Sequence, residues 1–177
     1  QAGCGVVGMI TNHGYLDNPT FRGMRQSLMQ TFDDIYILDL HGNALKKETC
    51  PDGSPDKNVF DIRPGVAIAF FVKHGGRKPK APAAVRHAEL YGTRESKYEW
   101  LDAHDARTTE WRKLTPRTGS YLFVPRDESL LRMYERFHFI PDIFPVNSVG
   151  IVTARDKLCI QWTAEEMWHA VNHFAKA

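Results

Sequence analysis

Residues 5–73 decide the fold class of this chain, because they carry three apolar segments: GVVGMIT at 5–11, IYILDL at 35–40 and GVAIAFFVK at 65–73. Short apolar runs of this kind are typical of strands that are buried on both faces of a sheet. Between the first two segments, Asn18 followed by Pro19 favours the start of a helix. The apolar residues of that helix recur at intervals of three and four and would share one face: Phe21, Met24, Leu28 and Phe32.

A strand, a helix and a second strand form a βαβ unit, which predicts that the first two strands pair in parallel. The connection to the third strand, residues 41–65, is long and contains the turn cluster PDGSPD. Long loops inside compact domains are usually functional or disordered. The sequence therefore predicts an α/β fold with a functional or disordered loop before its third strand.

Beyond residue 84 the composition changes to charged and aromatic residues, so we expect two regions, 1–84 and 85–177. In the second region Thr163 and Glu166 have the spacing of a capping box and predict a final helix. Weaker patterns predict four further elements: a helix at 94–101, a strand at 120–124, a short helix at 129–137 and a strand at 149–153. The second region is therefore expected to be mixed α/β.

Composition narrows the possible settings and partners. The chain has 177 residues, of which 42% are hydrophobic, and a formal net charge of +2, which is too small to indicate a nucleic-acid partner. Its three cysteines show no C-x-x-C spacing, so we expect neither a disulfide framework nor a zinc ribbon, and a reducing, cytoplasmic location fits best. No apolar run approaches the roughly 20 residues that span a bilayer, so no membrane partner is expected.

The chain begins with Gln1, and an apolar strand follows within about five residues. This favours a segment of a longer protein, although a processed protein would look the same.

Two motifs match known binding patterns only in part. Gly3 to Gly8 match the dinucleotide pattern G-x-G-x-x-G, but a strand follows them where the pattern needs a helix. His169 and His173 are four residues apart without an obvious third ligand, so we expect no metal site. The glycines are interpreted as a lead into the first strand.

Three other features have both a structural and a functional interpretation. The turn at 11–16 follows the carboxyl end of the first strand, where open α/β sheets bind ligands, but it could be an ordinary turn. Phe60 precedes the third strand, where a lone phenylalanine is most often part of the core. Residues 73–86 contain five basic residues and no acidic one, which suits either a solvated surface or contacts with phosphates: Lys73, Arg77, Lys78, Lys80 and Arg86.

Three segments together carry a resemblance to a known family: ITNHGYL at 10–16, FDIRPGVAIAFFVK at 60–73 and PVNSVGIVTARD at 145–156. They resemble adenine-specific (N6) DNA methyltransferases of restriction-modification enzymes of the Type ISP kind. The resemblance implies that residues 1–84 are the later half of a catalytic domain and that 85–177 lead toward a target-recognition region. It also implies a partial Rossmann-like sheet whose third strand returns antiparallel.

The resemblance assigns roles to individual residues. Asn12 and Tyr15 would line the pocket for a flipped adenine, and Phe60 would stack on that base, which is worth ~1 to 3 kcal/mol. Basic residues would hold the DNA backbone without conferring sequence preference: Lys73, Arg77, Lys78 and Lys80. No catalytic residue and no metal ligand of this chain is implied.

The resemblance also implies what the chain lacks. The methyl donor of the family is S-adenosylmethionine, and an Asn/Asp-Pro-Pro-Tyr motif holds the adenine amine; neither this motif nor the glycine-rich donor segment is present in the sequence. We therefore expect a part of an enzyme that is inactive alone and binds no cofactor. Its expected partners are duplex DNA and the missing upstream half of the domain.

Two alternatives remain open at the level of sequence. The chain could be a non-catalytic DNA-binding or specificity module, or part of an RNA or protein methyltransferase with the same sheet. If the chain is cut from a longer protein, the edge of the first strand is exposed, and we expect either self-association or an ordered segment upstream that covers this edge.

Overall fold

The computed structural model describes residues 3–75, 81–146, 150 and 153–176. The chain divides into two units, Gln1–Asp127 and Glu128–Ala177. The first unit is built on a five-stranded mixed sheet in the order β1-β3-β2-β4-β5. Its strands are β1 (Gly5–Asn12), β2 (Asp34–Asp39), β3 (Val66–Lys73), β4 (Ala84–Glu89) and β5 (Arg112–Leu114).

The α/β class and the antiparallel third strand are confirmed, but the predicted pairing of β1 with β2 is wrong. Both strands pair antiparallel with β3, which lies between them, so they run in the same direction without touching. The long loop returns the chain so that β3 lies between β1 and β2, and its backbone forms hydrogen bonds with β1 on one side and β2 on the other. The parallel partner of β2 is β4.

The sequence patterns did not predict β4, because three of the six residues of AVRHAE are polar: Arg86, His87 and Glu89. Val85 and His87 are nevertheless buried, while Arg86 and Ala88 are only partly so, which is the alternation of a strand with unequal faces. The boundary predicted at residue 84 coincides with the first residue of this strand. The division between the units lies about 40 residues later.

A helix covers each face of the sheet. On one face, α1 (Arg22–Thr31) contributes Met29 to a core that includes Ile35, Ile37 and Phe71. On the other, α2 (Arg94–Ala103) places Trp100 and Leu101 against a core built from Leu38, Leu40, Val59 and Val66. Because side chains alternate along a strand, β2 supplies both cores, and helix α2 agrees with the helix predicted at 94–101.

The apolar stripe predicted for α1 is only partly buried. Phe21 and Met24 are exposed, whereas the buried residues of the helix are Arg25 and Met29. Two 3-10 turns, His13–Leu16 and Pro19–Phe21, connect β1 to the helix, and the side chain of Asn18 caps the second turn.

The second unit contains α3 (Leu131–Tyr134), α4 (Ile140–Ile143), α5 (Asp156–Cys159) and α6 (Ala164–Ala175). The capping box of Thr163 and Glu166 is confirmed at the start of α6. The helix predicted at 129–137 is shorter, and the strand predicted at 149–153 falls largely outside the described residues. In the first unit, residues 120–124 are irregular instead of forming the predicted strand. None of the helices in the described ranges has the length and apolar character to cross a membrane.

Candidate functional site

The carboxyl ends of three strands meet at one edge of the sheet. Asn12, Asp39 and Glu89 are the last residues of β1, β2 and β4. The strand register pairs Asn12 with Val66, Asp39 with Ala67 and Asp39 with Glu89. This edge, which we call the carboxyl edge, is where ligands bind in open α/β sheets. The long loop at residues 40–65 begins and ends here.

A group of imidazoles and carboxylates occupies the carboxyl edge, and its members His13, Asp39 and His41 are buried. We call it the His41 cluster, and it consists of His13, Asp39, His41, Glu48 and Glu89. His13 Nδ1 lies 2.9 Å from Asp39 Oδ1, and the backbone N–H of His41 donates to the same oxygen at 3.0 Å. Burial alone would raise the pKa of Asp39, but the hydrogen bond from His13 and the two imidazoles outweigh it and lower that pKa.

His41 lies at the centre of this cluster. Its ring stacks on Tyr91 with centroids 3.9 Å apart, and its φ of 50° is rare for a residue other than glycine. The ring Nδ1 is 3.6 Å from Glu48 Oε1, and Nε2 is 3.4 Å from Glu89 Oε1. Burial disfavours the imidazolium form, but Glu48, Glu89 and Asp39 outweigh it and raise the pKa of His41 to about 9.

Close packing fixes His13 in this arrangement. Asn43 Nδ2 donates to His13 Nε2 at 2.9 Å, so His13 donates its Nδ1–H to Asp39. A Cβ on Gly65 would lie 2.5 Å from the His13 ring, so only glycine fits beside it. The sequence shows glycine at 65, but not that its neighbour would be a histidine 52 residues earlier.

A buried ion pair anchors the long loop to α2. Lys97 Nζ is 2.7 Å from Asp56 Oδ1, and neither side chain is exposed to solvent. The ammonium also donates to the backbone oxygens of Leu40 and Lys57, each at 2.7 Å. Asp56 in turn accepts hydrogen bonds from the backbone of Gly42 and Gly92. The long loop is therefore fixed at the sheet edge by several buried hydrogen bonds and one ion pair.

Phe60 projects from this anchored loop. Its side chain is 42% exposed and belongs to neither core, which excludes the interpretation of Phe60 as a core residue. The backbone N–H of Phe60 donates to Asn58 Oδ1, and Phe60 lines an open cavity of about 590 Å³ together with Arg63 and Arg94. Arg94 is already paired with Asp61, which lines the same cavity, at 2.7 Å. An exposed ring near the guanidinium of Arg63 suits a flat, negatively charged ligand.

Asn12 and Tyr15 lie at a different cavity. They line a groove of about 570 Å³ between β1 and α1, together with Met9, Phe21 and Met24. The side-chain oxygen of Asn12 accepts a hydrogen bond from the backbone of Gly14, and burial raises the pKa of Tyr15 to about 12. Phe60 does not line this groove, so the three predicted base-pocket residues are divided between two cavities.

Of the predicted DNA-backbone residues, only Lys73 is described. It ends β3 seven residues after Val66, and so lies about 23 Å along the strand from the carboxyl edge. Arg77, Lys78 and Lys80 lie outside the described residues. Arg86 is held within the sheet by Asp34 at 2.6 Å and by the ring of Tyr36.

The sequence analysis missed most of the polar residues at this edge. Asp39, His41 and Glu89 stand at or just after strand ends, and that position was the only available signal. Glu48, Asp56 and Lys97 carry no such signal, because their partners are distant in sequence.

The glycine motif does not form a nucleotide cradle. Gly5 and Gly8 are within β1, and a Cβ on Gly3 or Gly5 would meet no atom within 4 Å. No helix N-terminus follows the motif, so it cannot direct backbone amides at a phosphate. The glycine motif itself therefore provides no cradle for a nucleotide.

No protein-family model matches this chain, and no curated protein matches it. Solved structures do. The DrdV–DNA complex, determined by cryo-EM, matches 98% of this chain at 25% identity with a TM-score of 0.64. The ATP-dependent Type ISP restriction-modification enzyme LlaBIII, bound to DNA, matches 74% at 28% identity with a TM-score of 0.61.

A third match is to the fold alone. A nuclease-deletion mutant of the Type ISP restriction-modification enzyme LlaGI, in complex with a DNA substrate mimic, matches 97% of the chain at 24% identity with a TM-score of 0.65. The chain spans 18%, 9% and 16% of the DrdV, LlaBIII and LlaGI chains. It is thus similar to one part of large DNA-bound proteins, two of which are restriction-modification enzymes.

Proposed function

We propose that this chain is part of a restriction-modification enzyme that methylates adenine in duplex DNA. The observation that carries the proposal is the match to DNA-bound proteins over 98% and 74% of the chain at 25% and 28% identity. S-adenosylmethionine would supply the methyl group, and residues outside this chain would bind it. The part described here would contact DNA and the target base, and would be inactive alone.

Phe60 is the residue we assign to the flipped adenine. Its exposure and its position on an anchored loop support a stacking role, because a ring held in place before binding loses little entropy when the base arrives. Arg63, on the same cavity, would contact a phosphate that flanks the base, whereas Arg94 is held by Asp61.

Asn12 and Tyr15 would contribute a wall rather than chemistry. The oxygen of Asn12 already shapes its own turn, and Tyr15 is buried with a raised pKa. Lys73, Arg77, Lys78 and Lys80 would contact the DNA backbone, so their replacement should reduce the salt dependence of binding without changing sequence preference.

The free edge of β1 would pair with another part of the same enzyme. β1 is the first strand of the sheet and exposes apolar side chains, with Val6 at 65%. The isolated chain would self-associate through this edge. The three free thiols, Cys4, Cys50 and Cys159, suit a reducing compartment, so we place the function in the cytoplasm.

The test is transfer of labelled methyl from S-adenosylmethionine to duplex DNA by the longer protein that contains this chain. We expect labelling by the longer protein, none by the 177-residue chain alone, and a loss of about 5- to 150-fold in the Phe60→Ala variant, equivalent to one stacked base. Phe60→Trp should retain most activity. Ile62→Ala, a substitution at an exposed apolar residue of the same cavity, is the matched control.

Other outcomes identify the alternatives. DNA binding without labelling on varied duplexes would indicate a non-catalytic DNA-binding module. Labelling of RNA or protein in preference to DNA would indicate a methyltransferase with another substrate. Equal activity of the Phe60→Ala and Ile62→Ala variants would remove the stacking assignment while leaving the enzyme class intact.

A further inference from the structure

We propose that the DNA strand that carries the flipped base runs along the long loop, where Lys47, Lys57 and Arg63 contact its phosphates. This inference deepens the proposed function and rests on its assignment of DNA as the substrate. It concerns the open cavity of about 590 Å³ that is lined by Phe60 and by all three basic residues, which we call the loop cavity. Its volume is within the range of about 300 to 1,000 Å³ that is usual for ligand pockets.

The charges around the loop cavity favour an anion. Three acidic residues line it, and each is already paired: Glu48 with His41 at 3.6 Å, Asp56 with Lys97 at 2.7 Å and Asp61 with Arg94 at 2.7 Å. Lys47, Lys57 and Arg63 are exposed, and within the described residues no ion pair or hydrogen bond involves their charged groups. The loop cavity therefore has three positive charges for which the described part of the first unit supplies no counter-charge.

Two other cavities of the first unit differ in charge. Among the described residues, no charged side chain lines the groove at Asn12 and Tyr15. The cavity at the His41 cluster, of about 170 Å³, has one ammonium, that of Lys46, and four carboxylates: those of Asp17, Asp39, Glu48 and Glu89. A phosphate would find no cation in the groove and would be repelled by the carboxylates of the His41 cluster. Of these three cavities, the loop cavity alone combines unpaired cations with an exposed aromatic ring.

Hydrogen bonds fix the backbone that carries the three basic residues. The N–H of Ala44 donates to the carbonyl of Arg63 at 2.9 Å, which joins the turn that carries Lys47 to the far end of the long loop. The N–H of Lys57 donates to the carbonyl of Gly92, also at 2.9 Å. Because this backbone is ordered before DNA arrives, binding would restrict only the side chains. The loop therefore presents its charges at fixed backbone positions around the exposed ring.

The position of the long loop also favours it over the basic run that begins at Lys73. A base stacked on Phe60 has a phosphate on each side of its sugar, and contacts to these phosphates would fix the position of the strand. Lys73 ends β3 about 23 Å from the carboxyl edge, where the long loop begins and ends. The nearest phosphates would therefore contact the long loop, and Lys73 would contact a more distant part of the DNA.

The test is DNA binding by the longer protein that contains this chain, measured by fluorescence anisotropy over a series of salt concentrations. The probe is a labelled duplex with one mismatched adenine, because a mismatched base costs less to unstack. Each phosphate contact contributes about 0.7 to 0.9 to the slope of log Kd against log salt concentration. We expect each single variant to reduce the slope by that amount, and the triple variant Lys47→Asn/Lys57→Gln/Arg63→Gln to reduce it by about 2 to 3. Asparagine is chosen at position 47 because it tolerates the φ of 53° there.

Two controls separate this site from a general loss of positive charge. The triple variant Arg22→Gln/Arg107→Gln/Lys113→Gln removes the same charge from exposed residues of the first unit that do not line the loop cavity. Its slope should stay close to that of wild type. Phe60→Ala should lower the affinity for the mismatched duplex without changing the slope, because the ring carries no charge. Circular dichroism would verify that every variant is folded.

The outcomes distinguish this inference from the proposed function. A reduced slope in the loop triple variant without methyl transfer by the wild type would support the phosphate site and reject the methyltransferase. Methyl transfer together with a wild-type slope in the loop triple variant would overturn the phosphate site and leave the enzyme class intact. Equal slopes in the two triple variants would also overturn it. Absence of DNA binding by the wild-type protein would overturn both proposals.

Discussion

At the scale of single residues, the most consequential side chains of this protein are polar and buried. Arg25 illustrates this, because it is 1% exposed and donates to four backbone oxygens: those of Tyr15, Asn18, Ser120 and Tyr121. Burial lowers the pKa of Arg25, and the four carbonyl acceptors compensate for the loss of water. These hydrogen bonds also explain why residues 120–124 do not form the predicted strand, because the carbonyls of Ser120 and Tyr121 accept from the Arg25 guanidinium.

Replacing Arg25 tests that account. Arg25→Met should lower the free energy of unfolding by about 3 kcal/mol or more, because it leaves buried carbonyls without donors. Arg25→Lys should recover little, since one ammonium cannot replace the planar fork of a guanidinium. Urea denaturation would measure the free energy of unfolding of both Arg25 variants, and Arg22→Met, on the exposed face of α1, is the control. Equal stability of the Arg25→Met and Arg22→Met variants would contradict the prediction.

Asp34 provides a pH-dependent test. Burial alone would raise its pKa, but hydrogen bonds from Arg86 and His74 outweigh burial and lower it below the usual 3.8. A depressed pKa means that this stabilisation is present above the unfolded-state pKa and is lost as pH falls through the folded-state pKa. Asp34→Asn should therefore destabilise the protein at neutral pH by up to about 1 kcal/mol, a limit set by solvent screening.

The difference between wild type and Asp34→Asn should shrink as pH falls from neutral through the unfolded-state pKa and then through the lower folded-state pKa, because the carboxyl becomes protonated. Asp102→Asn, at an exposed position of α2, should show no such convergence. A constant difference across this pH range would indicate that the carboxylate charge of Asp34 is not what stabilises the strand edge.

At the scale of elements, the long loop and α2 act as one assembly. The buried pair of Lys97 and Asp56 connects them, and backbone groups of the loop supply the remaining hydrogen bonds. This explains how a connection rich in turn residues can present Phe60 at a fixed place. The sequence alone allowed either a functional or a disordered loop.

Breaking this pair should detach the loop. Lys97→Met leaves the Asp56 carboxylate buried without its counter-charge and should cost about 3 to 5 kcal/mol. The double variant Lys97→Met/Asp56→Asn should be more stable than Lys97→Met, because it no longer buries a charge. Thermal and urea unfolding would measure the free energy of unfolding of wild type, of each single variant and of the double variant. Lys57→Met, at an exposed side chain of the same loop, is the control. Strict additivity of the two substitutions would refute the coupling.

At the scale of the whole chain, the free edge of β1 is the feature that most needs a partner. Its side chains are exposed on both faces, which is unusual for a strand of this apolar character. The two edge strands of the sheet are β1 and β5, and β1 is the longer one, with eight residues against three.

We expect the isolated chain to self-associate with increasing concentration, and Val6→Lys to reduce this strongly, because a charge on an edge strand opposes strand pairing. Light scattering over a concentration series would measure it. Val146→Lys, at a residue that is 96% exposed in the second unit, is the control. A monomeric wild-type chain would count against pairing through β1.

Local signals predicted local structure well. The capping box of Thr163 and Glu166, the helix after Thr93 and the three apolar strands all depend on residues close in sequence, and all are present. Strand β4 was missed because its polar residues are accommodated by partners such as Asp34, which lies 52 positions from Arg86. Exposure of Phe60 also could not be read locally, since it depends on how the loop is anchored.

The sequence by itself determined the α/β class, and the resemblance that it carries implied the direction of β3 and the function that we propose. Hydrophobic periodicity and capping act over a few residues, so they can be read directly. Only the tertiary structure decided that β3 lies between β1 and β2, and that His13, Asp39, His41, Glu48 and Glu89 meet at one edge. Strand order and the meeting of distant polar groups depend on long-range pairing and on loop paths, which no local pattern encodes.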